Sequence, residues 1–168
     1  MQTVHIVPTG QGKHFLVGND VVTLKATGQE TSGNMLVMEV TVPSGGGPPS
    51  LHRHQYSEVF TILEGEFEIT TLDANQMPVA KKVTAGDTVA VASMAWHNFK
   101  NVGGSAGKFM VVHSSAIMEN FVLELGVPIS DPLKPPKPDR PPSPEDMQNM
   151  MQVILKYMEI LPPEKVSS

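Results

Sequence analysis

The chain has 168 residues, of which 40% are hydrophobic and 17% charged, a composition that suits one soluble domain with a substantial core. Its net charge of −5 leaves no basic surplus to neutralise phosphates, so we expect neither nucleic-acid binding nor association with a membrane surface. The absence of cysteine excludes disulfides and thiolate metal sites, and no apolar run approaches the ~20 residues of a membrane span, so we expect a cytoplasmic protein.

Short β-branched or alternating runs, separated by Gly, Asn, Asp and Pro, fill the N-terminal two thirds of the chain. They lie at 16–17, 21–24, 36–42, 59–63, 67–72, 88–92 and 108–112. In 36–42 the even-numbered residues are all apolar, which predicts a strand with one buried face. Residues 63–66 predict a tight hairpin turn between paired strands, and 73–75 and 85–87 predict further turns. Many short strands with frequent turns indicate an antiparallel sandwich or barrel.

The composition changes after Val127. Seven prolines lie at 132, 135, 136, 138, 141, 142 and 144, and such a segment can form neither helix nor sheet interior. We therefore divide the chain into a β-domain at 1–127, an extended proline-rich arm at 128–143 and a helix at 144–161.

The helix has a clear start, with Ser143 as N-cap, Pro144 at the first position and Asp146 in the capping-box place. Pro162 and Pro163 end it. Its apolar stripe consists of Met147, Met150, Met151, Ile154, Met158 and Leu161. The stripe needs a partner, either the outer face of the barrel or a second subunit. Together with exposed strand edges, it leads us to expect a homodimer.

His52 and His54 are the most informative residues of the chain. On an extended segment they point to the same side with Cβ atoms about 7 Å apart, so both imidazoles can reach one ion. Glu58 would lie about 13 Å farther along a straight strand. The chain must therefore bend at 55–57 if this carboxylate is to join them, and His97 could reach the same centre from another strand. The pair alone is equally compatible with two ordinary strand histidines.

These residues resemble the first motif of the cupin superfamily, in which glycine, His-x-His, glutamate and glycine follow at set spacings. Gly46, His52, His54, Glu58 and Gly65 meet every spacing. Gly86, His97 and Asn101 match the second motif. Ala92 and Met94 replace its proline and glycine, a departure that concerns turn geometry and no ligand. The resemblance extends more weakly over 30–163, through 121–126, the arm and the helix, to small cupins similar to bacterial quercetin 2,3-dioxygenases.

The resemblance implies an all-β double-stranded β-helix, or jelly-roll, barrel followed by the arm and a C-terminal helix. It also implies one divalent transition metal, which could be Fe, Mn, Ni, Co, Zn or Cu, held by His52, His54, Glu58 and His97. Glu58 would serve in addition as the general base in dioxygenation of a small aromatic or enolic substrate. The alternatives are a cupin that binds a metal or small ligand without turnover, and an isomerase or decarboxylase that needs no oxygen.

For a flat apolar substrate we predict a pocket lined by Met38, Phe60, Met94, Trp96 and Phe99, with ordinary barrel core as the alternative for each. A methionine lining is susceptible to oxidation and thereby favours a non-oxidative role. We assign no function to the remaining histidines. His113 is expected to be a structural or surface residue, and His5 and His14 are expected to face solvent.

Overall fold

Two antiparallel β-sheets form the framework of the computed structural model, which describes residues 4–137 and 140–162. The strands are β1 Lys13–Val17, β2 Asp20–Ala26, β3 Leu36–Val42, β4 His52–Arg53, β5 Glu58–Glu64, β6 Glu66–Leu72, β7 Pro78–Thr84, β8 Thr88–Val91, β9 His97–Asn101, β10 Gly107–His113, β11 Val127–Ile129 and β12 Glu159–Ile160. The helices are α1 Ile117–Leu125 and α2 Pro144–Tyr157. Neither helix in this described part has the length and apolarity that a membrane crossing requires.

The strand order is β11-β1-β2-β3-β10-β5-β8 in one sheet and β12-β4-β9-β6-β7 in the other. This arrangement confirms the predicted all-β jelly roll. The seven predicted runs coincide with β1, β2, β3, β5, β6, β8 and β10. Strand β7 was not predicted, and β9 was expected only as the strand that carries His97. Strand β7 is an almost fully exposed edge strand with two lysines, so its sequence shows no buried face, and it is held by main-chain pairing with β6.

The predicted hairpin at 63–66 is wrong. Strand β5 pairs with β10 and β8 in one sheet, whereas β6 pairs with β7 and β9 in the other, so the chain changes sheets at this point. Gly65 makes the corner with φ of 86°, and a Cβ atom there would lie 2.8 Å from the Cα of Gly107. A local turn signal cannot tell such a corner from a hairpin, because both need a left-handed residue.

The core fills the space between the sheets. In β3 the even-numbered residues are buried and the odd-numbered ones half-buried, as the alternation predicts. Phe60, Phe67, Phe99 and Phe109 form a cluster of edge-to-face and tilted rings whose centroids lie 5.0 to 6.5 Å apart. Each buried ring of this size contributes about 2–3 kcal/mol through the hydrophobic effect, so this cluster is a main source of cohesion between the sheets.

Helix α2 begins as predicted, with the Ser143 capping box formed in both directions and Pro144 in the first turn. Its predicted end at residue 161 is wrong. The helix ends at Tyr157 because Met158 is extended and the next two residues pair with β4 as β12. Two further elements were not predicted: α1, and the short strand β11, which uses the first residues of the assigned arm to pair with β1. Pro138 and Pro163 lie outside the described residues.

Helix α2 finds its partner in α1 and in the opening of the jelly roll. Lys156 Nζ donates to Glu124 Oε2 at 2.6 Å, and the Tyr157 hydroxyl donates to the other oxygen of the same carboxylate. The rings of Phe121 and Tyr157 meet edge to face. No residue of α2 is buried, so the helix covers the opening without becoming part of the core. The homodimer stays a prediction.

Substitution of Met94 by glycine should stabilise the protein. Met94 has a φ of 64°, a left-handed conformation that a side chain disfavours, and its amide donates to the carbonyl of His54 at 2.8 Å. Glycine relieves the strain and keeps this hydrogen bond, so we expect the free energy of unfolding to rise by about 0.5–1 kcal/mol in urea denaturation. Ala92→Gly, in the same loop at an ordinary φ, should lower stability. A Met94→Gly variant no more stable than the parent would contradict this reading.

Candidate metal centre

Three histidines from neighbouring strands converge between the sheets. His52 in β4 and His97 at the start of β9 are direct partners in the antiparallel register. His54 follows β4, after which the chain bends as predicted. One nitrogen from each of the three rings lies within 4.8 Å of the corresponding nitrogen of the other two. This spacing allows three imidazoles to contact one ion with bonds of about 2.1 Å.

Glu58 completes the cluster from the first position of β5. Its Oε1 atom lies 2.6 Å from His97 Nε2 and 3.4 Å from His54 Nε2. The four side chains predicted as ligands are therefore brought together, and all four residues are buried. Their approach depends on the bend at 55–57, which turns the chain from β4 in one sheet into β5 in the other.

Backbone carbonyls orient two of the rings. Nδ1 of His54 lies 2.8 Å from the carbonyl oxygen of Tyr56, and Nδ1 of His97 lies 2.8 Å from that of Ala95. A carbonyl oxygen only accepts, so each Nδ1 carries the proton and donates it. Each Nε2 is left with a lone pair directed at the centre of the cluster, which is the tautomer a metal ligand requires.

The charges of the cluster are balanced around Glu58. Burial would raise the pKa of this carboxyl, but the imidazoles of His113, His54 and His97 outweigh burial and hold it well below its ordinary value. Burial lowers the pKa of His97, and the nearby carboxylate more than offsets this and raises it. Burial, followed by repulsion from His97, lowers the pKa of His52 to about 4, so this ring is neutral at neutral pH.

The unsatisfied atoms of the cluster fit a divalent transition metal. Glu58 Oε1 and His97 Nε2 lie 2.6 Å apart but form no hydrogen bond, because the ring proton of His97 is on Nδ1, and His52 Nδ1 is also buried without a partner. A cation bound among them would accept their lone pairs. Neutral imidazole nitrogens with one carboxylate oxygen suit Fe, Mn, Co, Ni, Cu or Zn, and the set leaves coordination positions open toward the cavity.

His113 belongs to this site, and its assignment as a structural or surface histidine needs correction. It is buried at the end of β10, directly opposite Glu58 in the register, and its Nε2 lies 2.9 Å from Glu58 Oε2. His113 thus binds Oε2 of Glu58, while Oε1 faces His54 and His97. His113 directly follows the predicted run at 108–112, and it continues the alternation by which every second residue of 107–113 is buried. That alternation was the one signal for an inward-facing side chain. The partner of that position across the sheet is not readable from the sequence. His14 instead bonds Thr23, and His5 is exposed.

A cavity of about 480 Å³ opens onto the cluster. Met38, Phe60 and Phe99 line it, as predicted, together with further apolar residues of both sheets. The predictions for Met94 and Trp96 are wrong. Met94 lies in an exposed loop, and the Trp96 ring stacks beneath the Arg53 guanidinium at 4.4 Å instead of pointing inward. Both residues lie in the loop between β8 and β9, so their nearness to His97 in sequence does not place them on the inward face of that strand.

The two helices line the outer end of the cavity. Five methionines line it, four of them from the helices or the residue that follows α2: Met38, Met118, Met150, Met151 and Met158. Four members of the predicted stripe, Met150, Met151, Ile154 and Met158, thus face the cavity, whereas Met147 is exposed. Thioether side chains are flexible and polarizable, so this wall can adapt to ligands of different shapes.

Asp20 is a further acidic residue on the cavity wall, and no sequence motif marks it. It stands at the start of β2, and its Oδ1 is buried without a hydrogen-bond partner. Burial raises the pKa of this carboxyl to about 7. The protonated form is therefore favoured in the folded protein over most of the acidic range.

Residues 38–113 match the cupin domain family, a segment that includes all four predicted ligands and His113. The fold is shared with solved structures. An RmlC-like cupin from Shewanella frigidimarina is 20% identical with a TM-score of 0.57, over 71% of this chain and 99% of that one. Bacillus subtilis oxalate decarboxylase, studied for its Mn(II) centres, is 19% identical with a TM-score of 0.58, over 70% and 32%.

Lactobacillus farciminis oxalate decarboxylase, in complex with formate, is 19% identical with a TM-score of 0.56, over 68% of this chain and 34% of that one. The chain thus spans about a third of the length of the oxalate decarboxylases it matches. No curated protein matches the sequence. At these identities the solved structures establish the jelly-roll fold, and the likeness to quercetin dioxygenases stays a prediction.

Replacing Asp20 by asparagine should stabilise the protein more at pH 8 than at pH 5. Burial in the folded state raises the pKa of this carboxyl to about 7, whereas its pKa in the unfolded state is near 4. Its contribution to the free energy of unfolding is therefore complete below about pH 4 and is lost as the pH rises through about 7. The gain of Asp20→Asn over the parent should therefore grow by about 2 kcal/mol between the two pH values, measured by urea denaturation. Asp131→Asn, at an exposed carboxyl, serves as control. A gain independent of pH would contradict the prediction.

His113→Leu should weaken metal binding although His113 is not a predicted ligand. The change leaves Glu58 Oε2 buried without its donor, and loss of such an outer partner lowers metal affinity by about 10–100-fold. Competition between the protein and a chromophoric chelator for Zn²⁺ measures the effect. His113→Gln retains a donor and should recover part of the affinity, while His14→Leu, away from the cluster, should bind like the parent. Parental affinity in His113→Leu would refute the positioning role.

Proposed function

We propose that this chain, a jelly roll with a cupin domain at residues 38–113, is a metal-dependent enzyme of the quercetinase-like dioxygenase type. Its substrate would be a small, flat aromatic or enolic molecule. One observation carries the proposal: a largely apolar cavity of about 480 Å³ ends on the cluster of His52, His54, His97 and Glu58. Catalytic pockets typically combine such an apolar wall with a few convergent polar groups.

Each residue of the cluster has a distinct part in this proposal. His52, His54, His97 and Glu58 would hold the metal, which when bound supplies Lewis acidity toward a substrate oxygen and a site for dioxygen. The ionised Glu58 can accept the proton of a substrate hydroxyl, because a carboxylate with a lowered pKa is present in its acceptor form. His113 on Oε2 keeps Oε1 directed at the centre of the cluster.

The wall of the cavity suits a flat aromatic ring. Phe60, Phe99 and Phe109 form one wall, and α2 covers the opening with its methionines. A flat ring can stack against these aromatic side chains while its oxygen atoms face the histidines. The space is large for a substrate of a few atoms, and this supports an aromatic substrate over a small acid such as the one named for the oxalate decarboxylases.

A second candidate function is an isomerase or decarboxylase reaction that needs no oxygen. The five methionines of the cavity support it, because thioethers next to activated oxygen are readily converted to sulfoxides. In this case the same four ligands would polarise the substrate, and Glu58 would again transfer the proton.

Oxygen uptake tests the primary proposal. Protein loaded separately with Fe, Mn, Co or Ni is mixed with quercetin and simpler enols in an oxygen electrode, and we expect consumption with at least one metal. Glu58→Gln should lower kcat by about 10²-fold or more, since general base catalysis contributes at least that much. Glu64→Gln, an exposed residue at the other end of β5, should retain parental activity.

Two outcomes would redirect the assignment. No oxygen uptake with any of the four metals would refute the dioxygenase, and substrate conversion under strict anaerobiosis would identify the oxygen-independent reaction. If Glu58→Gln and the parent bound metal and ligand equally and neither turned over any compound, a non-catalytic binding protein would replace both.

A further inference from the structure

The cavity has two polar ends. One is the histidine cluster with Glu58, and the other is Asp20, at the start of β2 beside the loop 45–50. In the sheet register, Glu58 of β5 is opposite His113 of β10, which in turn is opposite Leu36 of β3. Asp20 directly precedes Val21 of β2, which is opposite Thr41 of β3. From Leu36 to Thr41 the strand rises about 17 Å, so the two carboxyl groups lie toward opposite ends of the cavity.

Asp20 has no partner within the described residues. Its side chain takes part in no hydrogen bond or ion pair there, its Oδ1 is buried, and burial is the sole cause of its raised pKa. Buried polar atoms in native proteins are nearly always satisfied, and an exception at a cavity wall marks a place where a ligand can supply the missing group. Neighbouring positions in β2 carry valine, whose burial here would be much more favourable in free energy than that of an unpaired carboxyl.

The chemistry of the wall restricts what that group can be. Among the described residues that line the cavity there is no lysine and no arginine. A carboxylate or phosphate at the distal end of a ligand would find no counter-charge and would meet the acidic Asp20. A neutral hydroxyl can donate to this oxygen, and it does not bring a charge into an apolar cavity.

We propose that Asp20 is a substrate-binding residue that accepts a hydrogen bond from a hydroxyl group at the end of the substrate remote from the metal centre. The substrate is then an elongated aromatic molecule with a metal-binding oxygen pair at one end and a hydroxyl at the other. A molecule of only a few atoms cannot reach both ends of the cavity. This inference rests on the proposed function only for the oxygen pair that binds the metal. It is independent of whether the bound molecule is oxidised.

Two ligands that differ in one hydroxyl test the inference: 3-hydroxyflavone and 3,4′-dihydroxyflavone. Each is titrated into the zinc-loaded full chain, and binding is followed by ligand absorbance, so no turnover is needed. At pH 8, where the Asp20 carboxyl is ionised, we expect the parent to bind the dihydroxy compound about 10-fold more tightly or better, the factor that corresponds to a hydrogen bond with a charged acceptor. Asp20→Leu should abolish this preference and leave the affinity for 3-hydroxyflavone within about 2-fold of the parent.

Asp20→Asn keeps the shape and an acceptor oxygen and should retain part of the preference, which covers the case that Asp20→Leu fails to fold. A structural role of Asp20 would lower affinity for both ligands equally, and this result would overturn the proposal. Absence of any preference in the parent, or of binding by either compound, would also overturn it. The expected binding pattern without oxygen uptake would refute the dioxygenase assignment alone and leave the role of Asp20 standing.

Discussion

The structure depends on how the negative charge of one buried carboxylate, that of Glu58, is stabilised. Glu58 lies between two sheets, where an isolated charge would be strongly unfavourable, and it is stabilised by imidazoles that come from β9, from β10 and from the bend after β4. Each of these elements must therefore hold its register, because a slip by one residue would turn its histidine to the opposite face. The same constraint that stabilises the charge sets the geometry of the candidate metal centre.

The cavity follows from this arrangement. Side chains at alternate positions of β3, β5 and β10 that do not serve the cluster are apolar and form a continuous wall, which ends at Asp20. Helices α1 and α2 then close the opening with methionine side chains. The cavity thus has charged groups around Glu58 and apolar side chains elsewhere, and a shared jelly-roll fold does not by itself fix which ligand such a cavity takes.

Those features that depend on local pattern could be predicted from the sequence. The buried face of 36–42, the capping box at Ser143 and the convergence of His52 with His54 follow from periodicity, from capping chemistry and from spacing. Features set by distant partners could not. The corner at Gly65 looks like a hairpin turn until both sheets are known, and His113 acquires its meaning only from the strand that lies opposite. Asp20 likewise has no sequence motif that marks it.

The attachment of the C-terminal segment has a consequence for cooperativity. Strand β12 pairs with β4, the amide of Leu161 donates to the carbonyl of Leu51, and Arg53 binds Glu159. The last described residues are therefore fastened to the strand that carries His52. Because free energies of coupling are reciprocal, anything that rigidifies this strand must also slow fraying of the C-terminal segment, and hydrogen exchange at the two places should respond together. Hydrogen exchange in 159–161 would in this way report whether the site at His52 is occupied.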